Sequence, residues 1–199
     1  MIRKAHCLFE QSGTFKKAFK AEGIEAFDYD ILNDLGETDV QIDLFEEIKK
    51  GAVQEKSIFD SFDHEDLIFA FFPCTYFCSP SELAFKMKYQ NYSKLPDFIK
   101  FDLIKKRNVK RAEYFELFTE LFCICSVNKL KIIVENPYTP GAFLRQTSPL
   151  FPPQVIDENR NLHGDYYKKP TAFWFFNFEP QGRLENMKIY APQNNRKRL

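Results

Sequence analysis

The chain has 199 residues, enough for one domain with a substantial core, and its 28 Lys and Arg balance 28 Asp and Glu. Zero net charge excludes a protein that seeks polyanions with its whole surface, though it leaves room for a local basic patch. Aromatic residues make up 17%, with 23 Phe, which supplies a core and leaves enough for an apolar interface with a second copy or another protein.

The predicted elements alternate. Ala5 to Phe9 reads as a strand, followed by a turn at Gln11-Ser12-Gly13. Thr14 to Glu22 has helical spacing, with Phe15, Ala18 and Phe19 on one face and Gly23 as its stop. Glu25 to Tyr29 is a second strand, with Asp28 and Asp30 at its end, and residues 31–41 read as a loop. Ile42 to Lys50 is a helix stopped by Gly51. Asp66 to Phe72 is apolar on both faces, as a central parallel strand would be. Ser81 to Tyr89 reads as a short helix.

Asp97 to Val127 carries a long helical pattern. Its expected apolar stripe runs from Phe98, Phe101 and Ile104 to Tyr114, Phe115, Phe118, Leu121 and Phe122, and its interruption at "KKRNVKR" leaves one bent helix or two. Lys131 to Glu135 and Thr171 to Phe178 are the last strands. The alternation predicts an α/β three-layer sandwich with a mostly parallel central sheet, in one domain over residues 1–190. Residues 191–199 form a basic, frayed tail.

No run reaches membrane-spanning length and no secretory leader is evident, so no membrane partner is expected. Five cysteines, an odd number, fit reduced thiols in a cytoplasm. Cys74/Cys78 and Cys123/Cys125 lack the partners of a zinc site, so no metal is expected.

In an open α/β sheet, ligands bind beyond the carboxyl ends of the strands. That rim carries Phe9, Ser12, Gly13 and Thr14 after the first strand, Asp28 and Asp30 after the second, and Asp43 before the next helix. It also carries Pro73-Cys74-Thr75 after the central strand, and Glu135-Asn136 after its neighbour. Gly13 allows close backbone approach at a helix start. A carboxylate at a strand end can accept ribose hydroxyls, and Asp43 can accept an adenine amine. The alternative is a turn glycine with solvated loop acids. Cys74 could equally be an inert buried thiol, but Glu135 in the matching position makes a nucleophile with an acid partner. Cys78 reads as packing.

Four stretches, "FEQSGTFKKAFKAEGIEAFDYD", "FPCTYFC", "VENPYTPG" and "HGDYYKKPTAFWF", taken in order and spacing, resemble small, mostly phage-type relatives of the DNA cytosine carbon-5 methyltransferases. The resemblance spans about residues 5 to 178. It implies a Rossmann-like methyltransferase fold and S-adenosyl-L-methionine as cofactor. It places Cys74 as the nucleophile and Glu135, with Asn136, as the acid motif. The cofactor would lie against Phe9, Ser12, Gly13, Thr14, Asp30 (with Asp28 as fallback), Asp43 and Pro73. DNA would be met by Thr75, Lys168, Lys169 and Thr171. Phe72-Pro73 stands where the family has Pro-Pro, and Thr75 where it often has Gln. Phe9-Glu10-Gln11 replaces a glycine-richer loop. Asn136 and Thr171 are 35 positions apart, too close to enclose a target-recognition domain. Three readings follow: a DNA cytosine methyltransferase, a repurposed non-catalytic binder of cofactor, nucleic acid or a host protein, and a nucleotide-level pyrimidine enzyme.

Overall fold

The computed structural model describes residues 2–147, 151–163 and 168–180. The expected 191–199 tail lies outside them. Seven strands form one sheet: β1 (Lys4–Leu8), β2 (Glu25–Asp30), β3 (Val40–Gln41), β4 (Leu67–Ala70), β5 (Lys131–Pro137), β6 (Val155–Asp157) and β7 (Thr171–Phe176). Their spatial order is β3-β2-β1-β4-β5-β7-β6. The first five strands in that order pair in parallel; β7 runs antiparallel to both β5 and β6. The chain is therefore a mixed α/β protein with a mostly parallel sheet. The reversed β7 is the departure from the simple alternation: it returns from the rim where β5 ends, and Pro137 pairs with Thr171 at the turn-back.

Among the described residues five α-helices connect the strands: α1 (Thr14–Ala21), α2 (Leu44–Ala52), α3 (Ser79–Glu82), α4 (Asp97–Val127) and α5 (Phe143–Thr147). The core is continuous across the sheet. Leu8, Ile68, Ile132, Val134 and Trp174 meet Ile48, Phe118, Leu121 and Phe72. Burial of that apolar area, at about 25 cal/mol per Å2, is what drives the layers together. Among the described residues no helix is long and apolar enough to cross a membrane, and no group of three or more His, Cys, Asp or Glu could hold a metal. All five cysteines are free.

Four local expectations change. Residues 31–41 are not wholly loop, because Val40 and Gln41 pair with Tyr29 and Asp30 to make an edge strand. The helix expected from Ser81 to Tyr89 is only the short α3 plus single 3-10 turns at Leu83–Phe85 and Gln90–Tyr92. Gly51 does not stop α2 but lies inside it: a Cβ there would sit 2.8 Å from Ile124 Cδ1, so the missing side chain lets α2 close on α4.

The fourth is α4, which is one continuous 31-residue helix through "KKRNVKR". Its inward face holds Phe118, Leu121, Phe122 and Cys125, and then, toward the N-terminus, Arg111 and Arg107. Phe98 and Phe101 are off that face, 71% and 62% exposed. The arginines substitute for apolar packing by stacking. The Arg111 guanidinium lies 3.4 Å over the Phe85 ring and 4.6 Å over Phe143, and Arg107 lies 5.3 Å over Tyr76.

Asp28 is fully buried beneath α1, with neither carboxylate oxygen hydrogen-bonded among the described residues. Lys16 Nζ lies 3.6 Å from it but 2.9 Å from Asp39, which takes the better geometry. Burial, only partly offset by Lys16, pushes the Asp28 carboxyl up to about 6. The folded value is above the ordinary one, so the native state binds this proton more tightly. Its contribution is present at low pH and lost as pH rises through about 6. Asp28→Asn is therefore expected to stabilise the protein by about 1–3 kcal/mol at pH 8, with the gain shrinking toward pH 4. Urea midpoints at the two pH values measure this. A variant less stable than wild type at pH 8 would mean that the Lys16 pairing outweighs the cost of burying the charge.

Candidate functional site at the carboxyl rim

The sheet reverses its winding direction between β1 and β4, and a doubly wound sheet opens its ligand crevice there, outside the strand ends. A cavity of about 410 Å3 lies at this place, within the ~300–1,000 Å3 usual for small-molecule sites. Four of the predicted cofactor residues line it: Phe9, Asp30, Asp43 and Pro73. Ile31, Leu44, Phe45 and Phe71 complete the wall. The walls are thus aromatic and aliphatic, with two carboxylates, a chemistry suited to a flat apolar group carrying hydroxyls or amines.

Each lining residue is placed for a local reason. Phe9 has φ 59, a left-handed conformation that ends β1 abruptly, and its ring packs on Phe45 and Phe72 at 5.5 Å between centroids. Asp30 is the last residue of β2 and accepts from the Leu32 N–H at 2.8 Å, which turns the chain out of the strand. Asp43 caps α2, with Oδ1 accepting from the Phe45 and Glu46 N–H groups at 3.0 and 3.3 Å.

Ser12, Gly13 and Thr14 border the site but do not line the cavity. Their loop is closed on itself. The Glu10 carboxylate accepts from the Ser12 N–H at 2.7 Å and from the Ser12 hydroxyl, and Ser12 Oγ meets Thr14 Oγ1 at 2.7 Å. Gly13 has φ 70, and a Cβ there would fall 2.8 Å from the Glu37 carboxylate, which is held by Lys17 at 2.7 Å. Gly13 therefore admits Glu37 from the β2–β3 loop. Asp28 is placed away from the cavity. It lies two residues before Asp30 on the same face of β2, where α1 covers it.

Cys74 and Glu135 come to the same rim. Phe71 N–H donates to Leu8 O at 3.0 Å, keeping the chain beside β1 just past the end of β4. The chain then turns at Cys74, whose carbonyl accepts from the Phe77 and Cys78 N–H groups at 2.9 and 3.0 Å. Asn136 fastens this turn: its Nδ2 donates to Phe72 O at 2.8 Å, directly before Pro73-Cys74. Asn136 is fully buried, so its role here is positioning.

Glu135 is buried, and Oε1 accepts no hydrogen bond among the described residues. Two cations stand off from it: Lys169 Nζ at 3.7 Å and Arg160 Nη1 at 3.8 Å. The Cys74 thiol is half-buried. Burial raises its pKa above the ordinary thiol range, Cys78 and Glu135 add to the rise, and Lys169 opposes it. At neutral pH the resting thiol is protonated, and the lysine is the nearby group that favours its thiolate.

Thr75 is exposed beside Cys74, and Lys168 and Lys169 are exposed before β7. Thr171 is a correction: it is fully buried, and its Oγ1 donates to Lys169 O at 3.0 Å. It cannot meet nucleic acid, and it supports the turn that carries Lys169. Cys78 is half-buried and follows the Cys74 turn, consistent with packing. Residues 164–167 of the "HGDYYKKPTAFWF" stretch lie outside the described residues.

The sequence reading missed Arg160 and Phe45. Arg160 precedes the last hairpin strand in an irregular polar run, and only the β6–β7–β5 pairing brings it to Glu135. Phe45 had a signal: it sits two residues after the Asp43 cap, in the first turn of α2, and its N–H is one that the Asp43 side chain accepts from. No protein-family model matches the chain, and no curated protein matches it significantly.

Proposed function

We propose that the chain is an S-adenosylmethionine-dependent methyltransferase of the Rossmann-like class that acts on cytosine, or another pyrimidine, in DNA. The observation that carries this reading is the juxtaposition at one rim of a cysteine turn, a buried carboxylate with an oxygen that accepts no hydrogen bond among the described residues, and a cavity bearing two acids. The strand order and the crevice between β1 and β4 support it, since nucleoside cofactors bind in such crevices. So does the resemblance at Pro73-Cys74 and Glu135-Asn136.

The residues fit the cofactor at its nucleoside end. Asp30 and Asp43 would accept its hydroxyls and amine, and Phe9, Phe45 and Pro73 would flank the ring. When bound, S-adenosylmethionine supplies an electrophilic methyl group. Cys74 makes the acceptor. Its thiolate adds to carbon 6, the electron pair moves to carbon 5, and the aromatic carbon becomes enamine-like. Glu135 holds the ring nitrogen and the exocyclic amine as charge develops. Lys169 and Arg160 hold Glu135 in turn. Once carbon 5 carries the methyl group, loss of its proton expels the Cys74 sulfur and restores the 5,6 double bond. A base in duplex DNA would first leave the stack.

Trapping tests this. With fluorine at carbon 5 no proton can be lost, so DNA containing 5-fluorocytosine, incubated with protein and S-adenosylmethionine, is expected to give a denaturation-resistant adduct that maps to Cys74. The closed Glu10–Ser12 loop and the protonated thiol favour the second reading, a repurposed binder. Absence of the adduct where cofactor binding has been demonstrated would remove the carbon-5 mechanism on DNA and promote that reading.

A further inference from the structure

We infer that residues 83–111, comprising the N-terminal half of α4 and the turns before it, form a binding face for a single-stranded nucleic acid. Where the strand leads, to Cys74, rests on the proposed function; the face itself does not.

The first observation is charge. In a chain of zero net charge, this segment holds nine Lys and Arg against Asp97 and Asp102. Lys100 and Lys106 pair with those two aspartates at 2.9 and 2.7 Å. Lys86, Lys88, Lys94 and Lys105 are exposed, with no carboxylate partner among the described residues. Lys110 pairs with Glu113 at 2.7 Å and Arg111 with Glu82, just outside the segment, so the charge available to phosphates is that of the four exposed lysines.

The second observation is apolar. Phe98, Phe101 and Val109 are exposed, and with Lys105 they occupy positions i, i+3, i+7 and i+11 of one outward stripe. Isolated exposed apolar residues need no explanation, but two unpacked phenyl rings on a basic helix do. Single-stranded binders combine these two features, lysines that follow the backbone and rings on which unstacked bases sit.

The third is position. At 1.5 Å per residue, α4 is about 46 Å long, whereas β5 spans about 23 Å. The helix returns directly into β5, so its N-terminal half stands above the rim that holds the site. It is fastened there: Arg111 Nε donates to Tyr76 O at 3.0 Å, two residues after Cys74.

Charge also selects between occupants. In a symmetric pairing of two copies, Lys105, at the middle of the stripe, would meet its own counterpart, and two strongly cationic segments would be brought together. A polyanion has the opposite sign and is favoured over a second copy.

Fluorescence anisotropy with a labelled 20-nucleotide single strand, over a salt series, tests the face. Wild type is expected to prefer the single strand to a duplex of the same length. A Lys88→Ala/Lys94→Ala/Lys105→Ala variant should lower the slope of log K against log salt by about 2. Phe98→Ala/Phe101→Ala, at exposed positions, should weaken binding about fivefold or more per ring with the slope unchanged. Unchanged affinity and slope in both variants would overturn the inference. So would a wild-type dimer in sedimentation that Phe98→Ala/Phe101→Ala dissolves. The two readings fail separately. Strand binding through this face without a Cys74 adduct sinks the methyl-transfer reading alone, whereas an adduct at Cys74 with strand binding unchanged in both variants sinks this inference alone.

Discussion

Cys74→Ser is expected to abolish methyl transfer while leaving the melting temperature and the stabilisation by S-adenosylhomocysteine as in wild type. The thiol is the only atom exchanged, and what holds the turn is backbone and Asn136: Cys74 O accepts from Phe77 and Cys78, and Phe72 O accepts from Asn136. None of these bonds uses sulfur. A serine hydroxyl stays protonated far above the range in which a thiol ionises, so it cannot add to carbon 6. The same reasoning gives the wild-type pH dependence. Because burial raises the Cys74 pKa, alkylation by iodoacetamide should be slow at pH 7 and climb past the ordinary thiol range. Lys169→Ala should slow it further, since that cation opposes the rise. Methyl transfer that survives Cys74→Ser would remove the addition mechanism.

Glu135→Gln is expected to reduce transfer by about 10²–10⁴-fold, the usual consequence of losing a positioned acid–base group. The amide keeps the shape of the side chain, and the register of β5 with β7 does not depend on its charge. What changes is the field. Lys169 and Arg160 stand 3.7 and 3.8 Å from a carboxylate oxygen that accepts no hydrogen bond. Removing its charge takes away the ion pairs that Lys169 and Arg160 make with it, so the variant should also lose a modest amount of stability. Single-turnover rates together with urea midpoints separate the two effects. A rate unchanged within about twofold would place Glu135 outside the chemistry.

Much of this site was legible because strand ends are legible. Two apolar runs, 67–72 and 132–134, read as central strands, so Cys74 and Glu135 were expected to emerge at one rim. Parity could not separate the two acids of β2: Asp28 and Asp30 share a face, but Asp28 lies under Lys16 in the first turn of α1, whereas Asp30, two residues on, lines the cavity. Strands of two and three residues, β3 and β6, carry too little pattern to be seen. In α4 the apolar spacing from Phe98 onward suggested one stripe, but the helix turns those rings outward and fills the inward positions with Arg107 and Arg111. A sequence pattern records which residues are apolar and does not reveal that a guanidinium stacked on Phe85 can take an apolar place.

The hairpin between β5 and β7 has a consequence for how such a fold can grow. Its two stems are pinned together: Pro137 pairs with Thr171, and the Tyr138 N–H donates to Pro170 O at 2.8 Å. Because those ends already touch, chain added beside the junction leaves the pairings of β5, β6 and β7 in place, and doubling a flexible loop costs only about 0.6 kcal/mol in closure entropy. That junction lies on the same rim as Cys74. A module spliced in there would stand over that rim with the sheet intact.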